Sequence, residues 1–189
     1  MRGWPVQIIA GLWLLWALYW LIAAFGTKPT REREATWLRR VPLLALLFGA
    51  LLVGARRAHG WLSMAVIPGG WFRYWAAVAL VVAGLGFAIW ARVALAGNWS
   101  GFVTLKEGHE LIQHGPYRHL RHPIYSGLLL AILGSALAGG QVRVLVVFAI
   151  ALIGFWVKSR AEERLMEREF GERYIAYRAS SWALIPFVL

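Results

Sequence analysis

The sequence has no cysteine, and all nine of its acidic residues are glutamates. The chain therefore forms no disulfide and offers no thiolate ligand to a metal ion. Aspartate, another common metal ligand, is missing as well. These absences disfavour the usual structural and catalytic metal sites.

Charged residues are also scarce. They make up 15% of the 189 residues, against 60% hydrophobic residues, and the mean hydropathy is +0.59. Soluble domains of this length are less apolar. Apolar windows long enough to cross a bilayer recur along the chain, so one removable signal peptide does not explain them. The composition predicts a membrane protein, and the twelve tryptophans near the ends of apolar runs suit interfacial anchors.

The apolar runs predict an all-α, polytopic membrane protein with about five transmembrane helices, the last two forming a helical hairpin that turns at Gly139-Gly140. The second run is short, so it needs residues 36–38 or its flanking arginines to complete a crossing. In chain order the runs are Trp4–Phe25, 41–55, Tyr74–Gly97, Ile124–Ala138 and Val142–Val157.

Three segments between or after these runs are predicted to lie outside the hydrocarbon core. Lys28–Arg40 is solvated or interfacial, with a helix start at Pro29-Thr30. Trp61–Trp71 is a surface loop with a short interfacial piece. Lys158–Arg178 has helical spacing of apolar residues and predicts an amphipathic helix on the membrane surface. Within the third run, Arg92 is expected to snorkel towards the interface.

The net charge of +11 could indicate nucleic-acid binding, but the basic residues lie in loops between apolar segments and form no single soluble face. With five crossings and the N-terminus outside, fifteen basic residues fall on the inner side and five on the outer side. The positive-inside rule then places the polar motifs described below in the cytoplasm.

The most polar motif is His109–Gly127, which holds four of the five histidines. Gly115-Pro116 predicts a turn, and Pro123 suits the first residue of a helix because it lacks an N–H. The amides at that helix start could bind a carboxylate. The histidines, at positions 109, 114, 119 and 122, lack the spacing of a known metal motif, so no metal is predicted.

A second motif begins with Arg160-Ala161-Glu162-Glu163 and continues through Phe170-Gly171, Tyr174 and Tyr177 to Ile185-Pro186. By itself the glutamate pair could be an ordinary solvated helix face. Adjacent helical residues point about 100° apart, so we expect Glu162 and Glu163 not to face one site together.

In order and spacing the two motifs resemble the isoprenylcysteine carboxyl methyltransferase family of integral membrane enzymes. The resemblance covers roughly Phe102 to Pro186. Hydropathy predicts about three N-terminal transmembrane helices in residues 1–100, and the resemblance implies a catalytic region in residues 101–189, whose cofactor site the positive-inside rule puts in the cytoplasm. The resemblance also implies S-adenosyl-L-methionine as methyl donor.

The family's cofactor contacts carry over to this chain by motif position. They fall on His109, Glu110, Leu111, Ile112, Tyr117, His122, Pro123, Ile124, Tyr125 and Glu162. Arg121 matches a family arginine and is a candidate for steering the acceptor oxygen. The family's substrate-binding arginine is replaced here by Lys158, and Arg160, two residues further on, is the candidate substitute. His119 is a candidate proton acceptor.

The resemblance leaves the methyl acceptor open. A carboxylate needs no base, whereas a phenol or enol needs His109, His119 or His122 to take its proton. We expect O-methylation of a lipophilic acceptor drawn from the bilayer, in a prokaryotic inner or plasma membrane. The alternatives are N-methylation of a phospholipid amine and a membrane binding protein that keeps the cofactor site without turnover. A transporter predicts charges within the spans, which are almost absent.

Overall fold

A computed structural model describes residues 3–25, 30–33, 60–99, 104–106, 108 and 110–187. The α-helices of these residues are α1 (Gly3–Ala24), α2 (Trp71–Leu95), α3 (Pro123–Gly139), α4 (Val142–Phe170) and α5 (Glu172–Ala179). Short 3-10 turns lie at Trp61–Ser63, Ala96–Asn98 and Gly115–Arg118. Two short strands, β1 (Thr30–Arg33) and β2 (Thr104–Lys106), pair antiparallel. Apart from this ribbon the described fold is helical, as predicted.

Among the described residues, three helical segments are long and apolar enough to cross a membrane, namely Trp4–Ala24, Trp71–Asn98 and Val142–Phe170. Helix α3 is apolar but shorter, at 17 residues. The predicted first, third and fourth runs agree with α1, α2 and α3 to within a few residues. The predicted second crossing, 41–55, lies outside the described residues, and five crossings stay a prediction.

Two of the predicted elements are wrong. The helix start expected at Pro29-Thr30 is instead followed by strand β1, whose backbone pairs with β2. The separate surface helix expected over Lys158–Arg178 is not separate, because α4 runs unbroken from Val142 to Phe170. No proline or glycine separates Val157 from Phe170, so nothing stops the helix there. The break comes at Gly171, in the left-handed region at φ 53°, and α5 follows.

Helices α2 and α3 run antiparallel, with their backbones in contact over a stripe of small residues. A Cβ added to Gly84 would lie 2.5 Å from the backbone nitrogen of Ala131 and 2.5 Å from the backbone oxygen of Gly127. A Cβ added to Gly134 would lie 2.8 Å from the backbone oxygen of Ala77. Small residues let membrane helices approach closely, and this pairing holds the start of α3 beside the end of α2.

Arg92 joins the C-terminal ends of α1 and α2. It is 5% exposed and donates to the carbonyl oxygens of Ala23, at 2.6 Å, and Ala96, at 2.7 Å, with its guanidinium 4.7 Å from the Trp99 ring centre. The expectation that Arg92 snorkels is wrong, because carbonyls at helix C-termini lack intrahelical partners and the guanidinium satisfies them. Both helices therefore run in the same direction.

Candidate functional site

The polar motif His109–Gly127, called the His/Arg motif below, folds as its turn residues predict. Gly115 adopts a left-handed φ of 59° and begins the 3-10 turn Gly115–Arg118, with Pro116 in its first positions. Pro123 then begins α3, directly after His122. The side chain of His122 is thus held between a tight turn and a helix N-terminus, and it is buried.

The backbone on either side of Arg121 is held by the segment Ser181–Leu184, called the C-terminal segment below. The amide of Trp182 donates to His119 O at 3.0 Å, and the amides of Arg121 and His122 donate to Trp182 O at 2.8 Å and Ala183 O at 3.1 Å. Ser126 Oγ also donates to Leu184 O. Residues 119–122 of the motif therefore form a strand-like contact with the C-terminal segment.

Three side chains meet around the imidazole of His122, and we call His122, Tyr125, Glu162 and Glu163 the His122 cluster. Glu162 Oε2 lies 3.4 Å from Nδ1 of His122, and Glu163 Oε1 lies 3.4 Å from Nε2. Tyr125 donates its hydroxyl to Glu162 Oε1 at 2.6 Å, and its ring stacks on His122 with centroids 5.6 Å apart. The expectation that Glu162 and Glu163 do not face one site together is wrong. Each glutamate contacts a different nitrogen of the His122 ring, and these nitrogens lie on opposite edges of the ring.

Three cations surround the His122 cluster. Arg121 Nε donates to Glu163 Oε1 at 2.8 Å, and both side chains are buried. Lys158 is also buried, with Nζ 3.9 Å from Glu162 Oε1 and 5.2 Å from the Tyr125 ring centre. Arg160 is half-exposed, 3.3 Å from Glu163 Oε2, with its guanidinium over the Trp156 ring at 4.2 Å. Lys158 thus contacts the buried side of the cluster, and Arg160 lies at its exposed edge.

Burial and charge decide the protonation of the groups near α3. Burial of His122 disfavours the imidazolium, but the contacts with Glu162 and Glu163 and the negative charge of both outweigh it, so the pKa of His122 is raised. Burial also raises the pKa of Tyr117, and it raises the pKa of Tyr177 to about 12. The raised pKa favours the imidazolium form of His122 between its two carboxylates, and the raised pKa values of both phenols keep them neutral at neutral pH.

Comparison with known proteins gives the family. A sequence model described as "Phospholipid methyltransferase" matches residues 72–173, which is more than half of the chain. The chain belongs to the phospholipid methyltransferase family. The match includes α2, the His/Arg motif and the glutamate pair.

Several relatives carry the name that the motifs suggested. Over 87 residues the chain is 32% identical to "Protein-S-isoprenylcysteine O-methyltransferase A" of Arabidopsis thaliana, covering 46% of this chain and 44% of that protein. It is equally similar to a "Probable protein-S-isoprenylcysteine O-methyltransferase" of Oryza sativa subsp. indica, covering 46% of each. The aligned stretch is less than half of each relative. The predicted resemblance to this branch of the family is confirmed.

The structure gathers some of the predicted site residues and separates others. Ile112, Tyr117, Ile124 and Tyr125 pack in one apolar cluster against Ala91 of α2. Next to them stand Pro123, His122 and Glu162. Glu110 and His119 are exposed, Leu111 is half-buried, and His109 lies outside the described residues.

Two residues of the site were missed by the sequence analysis. Glu163 was expected to face away, and Phe155, whose ring stacks on Tyr125 with centroids 4.9 Å apart, was not considered. Phe155, Lys158 and Glu162 are spaced as i, i+3 and i+7 and share one helix face. That spacing was visible in the sequence, but the break assumed after Val157 hid it.

Proposed function

We propose that the chain is an S-adenosylmethionine-dependent O-methyltransferase, embedded in a membrane and acting on a lipophilic acceptor. The observation that carries the proposal is the His122 cluster, where two motifs about forty residues apart in the chain meet around one imidazole. The family match covers both motifs, and the relatives' names are those of methyltransferases.

The residues present fit the proposed donor. S-adenosylmethionine, when bound, supplies a methyl group on a positively charged sulfonium sulfur. Glu162 keeps 21% of its side chain exposed, and a carboxylate favours a cation. The backbone amides at the start of α3, which begins at Pro123, suit the carboxylate of the donor's amino-acid end.

We assign the wider donor site to the residues that the family motif indicates. They are His109, Glu110, Leu111, Ile112, Tyr117, His122, Pro123, Ile124, Tyr125 and Glu162. Their part is to bind and orient the donor and to keep water away, since methyl transfer is an in-line displacement that depends on alignment.

The protonation of His122 favours an acceptor that is already ionised. An imidazolium between two carboxylates is a poor proton acceptor, so it does not suit a phenol or an enol. The exposed His119 is the remaining described candidate base for such an acceptor. A carboxylate needs no base. We infer a lipophilic carboxylate, held by Lys158 or by Arg160 at the edge of the cluster.

The second candidate function is N-methylation of a phospholipid amine, which the family's description favours. An amine must lose its proton before it attacks, and the raised pKa of His122 favours its protonated form, which cannot take that proton. The two functions differ in product, because a methyl ester is cleaved by mild base and a methylated amine is not.

We place the site on the cytoplasmic face of a prokaryotic inner or plasma membrane. The support is the fifteen-to-five distribution of basic residues expected for five crossings with the N-terminus outside. The three long apolar helices make the chain an integral membrane protein.

The test is donor binding followed by product analysis. Titration calorimetry on monodisperse protein in detergent should show binding of S-adenosylmethionine and of S-adenosylhomocysteine. Incubation with methyl-labelled donor and a lipid extract should then yield a lipid one CH₂ heavier whose label is released by mild base. Protein that is folded but binds neither compound would contradict the proposal. A base-stable label on an amine lipid would select the second candidate.

A further inference from the structure

The guanidinium of Arg121 donates its hydrogen bonds to other groups of the protein. In addition to the 2.8 Å bond from Nε to Glu163, its Nη1 donates to Arg178 O at 3.0 Å, to Ser181 O and to Ser181 Oγ at 3.4 Å. The side chain is 9% exposed. A guanidinium bonded in this way is badly placed to steer an acceptor oxygen, which is the role that the family resemblance suggested.

These contacts join three parts of the chain. Glu163 belongs to α4, Arg178 to the last turn of α5, and Ser181 to the C-terminal segment. Carbonyls at the end of a helix lack intrahelical partners, and a cation there is favourable. The same C-terminal segment accepts the amides of Arg121 and His122. It follows the last residue matched by the family model, at 173.

We propose that Arg121 is a positioning residue that fastens the C-terminal segment to Glu163 and so fixes the backbone that holds His122 between its two carboxylates. Arginine suits this task because its rigid fork reaches a carboxylate and the carbonyls at once, whereas the single ammonium of lysine reaches one of them. The consequence for donor binding rests on the proposed function, but the consequence for the backbone does not.

The backbone consequence is tested by hydrogen exchange on ligand-free protein in detergent. In Arg121→Lys the amides of Arg121, His122 and Trp182 should exchange about tenfold faster, because their bonds to the C-terminal segment open locally. The matched control is Arg118→Lys, a nearby exposed arginine, which should leave all three rates unchanged. Unchanged exchange in Arg121→Lys would overturn the proposal.

The functional consequence is tested by separating donor from acceptor. Arg121→Lys should weaken donor affinity about threefold to tenfold in the absence of acceptor, and leave the acceptor KM at saturating donor unchanged. Normal donor affinity with a raised acceptor KM would overturn the proposal and return Arg121 to the acceptor. If wild-type protein binds no donor while exchange changes as expected, the proposed function fails and the positioning role stands.

A second variant covers the case in which Arg121→Lys does not fold, which faster exchange throughout α2 and α3 would reveal. Glu163→Gln removes the negative charge that Arg121 Nε contacts at 2.8 Å, so it loosens the same connection from α4. The same three amides should exchange faster, by a smaller factor. Normal exchange there in a folded Glu163→Gln protein would overturn the proposal.

Discussion

At the scale of single residues, the two glutamates share one imidazole but differ in exposure. The Glu162 side chain is 21% exposed, and the Glu163 side chain is 4% exposed. An exposed carboxylate can contact a bound ligand, whereas a buried carboxylate contacts only the protein groups around it. We therefore assign Glu162 to the donor and Glu163 to the internal structure of the site.

The first prediction compares two variants, Glu162→Gln and Glu163→Gln. Glu162→Gln keeps the side-chain shape and should weaken donor binding by about 1.5–3 kcal/mol, roughly tenfold to a hundredfold, in titration calorimetry. Glu163→Gln should instead lower the unfolding temperature, because Arg121 loses its buried partner. Glu172→Gln, on the exposed start of α5, is the control and should change neither quantity. Negligible effects of both cluster variants would mean that the pair is only a solvated helix face.

The second prediction concerns pH. Because the pKa of His122 is raised in the folded protein, its stabilisation is complete below the unfolded-state value of about 6.5 and is lost as pH rises through the folded-state pKa. The unfolding-temperature difference between wild type and His122→Gln should thus be largest near about pH 6 and shrink in alkaline buffer. A difference that grows with pH would show that His122 is neutral in the folded protein.

The sequence predicted the positions of these residues better than their contacts. The order of the two motifs indicated that His122, Tyr125 and Glu162 belong to one site, and the structure brings these three side chains together. The sequence could not indicate that Glu163 joins them, because that contact depends on where the imidazole of His122 lies relative to α4. The bonds of Arg121 depend on a tertiary contact with the chain beyond α5, which no local pattern encodes.

At the scale of helices, the main wrong prediction was a helix boundary placed where the chain changes from apolar to charged residues. The change from apolar to charged residues after Val157 suggested a new helix, but helix continuity depends on backbone groups, and none is interrupted before Gly171. As one rigid element, α4 carries Phe155 and Glu162 on a common face, and it sets the distance of both from α3.

The third prediction concerns the contact between α2 and α3. Gly84→Ala places a methyl group against the backbone of α3, which cannot move as a flexible side chain would, so we expect a cost of about 1–3 kcal/mol. Gly86→Ala is the matched control on the same helix, since nothing lies within 4 Å of its added Cβ. Thermal unfolding in one detergent should separate the two variants. Equal unfolding temperatures would contradict the close approach of the two backbones.

At the scale of the whole molecule, hydropathy predicted which segments are helices but not which ends lie together. The bond from Arg92 to Ala23 O puts the C-terminal ends of α1 and α2 side by side. At the other end of α2, Val66 and Ile67 donate backbone bonds to Gly140 O, and Arg73 donates to Ala138 O at 3.3 Å. The His/Arg motif and the Gly60–Gly70 loop therefore lie at opposite ends of α2.

The last prediction tests that arrangement in a membrane. Helix α2 has 25 residues and so is about 37 Å long at 1.5 Å per residue, enough to separate its ends by a full bilayer. The chain has no cysteine, so single cysteines can be introduced without removing any. Gln113 is exposed in the His/Arg motif, and Gly70 is exposed just before α2 with open space around its Cβ position.

Gln113→Cys and Gly70→Cys should react with a membrane-impermeant maleimide from opposite sides, and the asymmetry of basic residues puts Gln113 in the cytoplasm. In intact cells only Gly70→Cys should be labelled, and both should be labelled after permeabilisation. Gly140 is a poorer choice for the outer position, because its φ of 64° and the Arg73 side chain beside it leave no room for a Cβ. Labelling of Gln113→Cys alone in intact cells would reverse the orientation, and labelling of both would show that α2 does not cross the membrane.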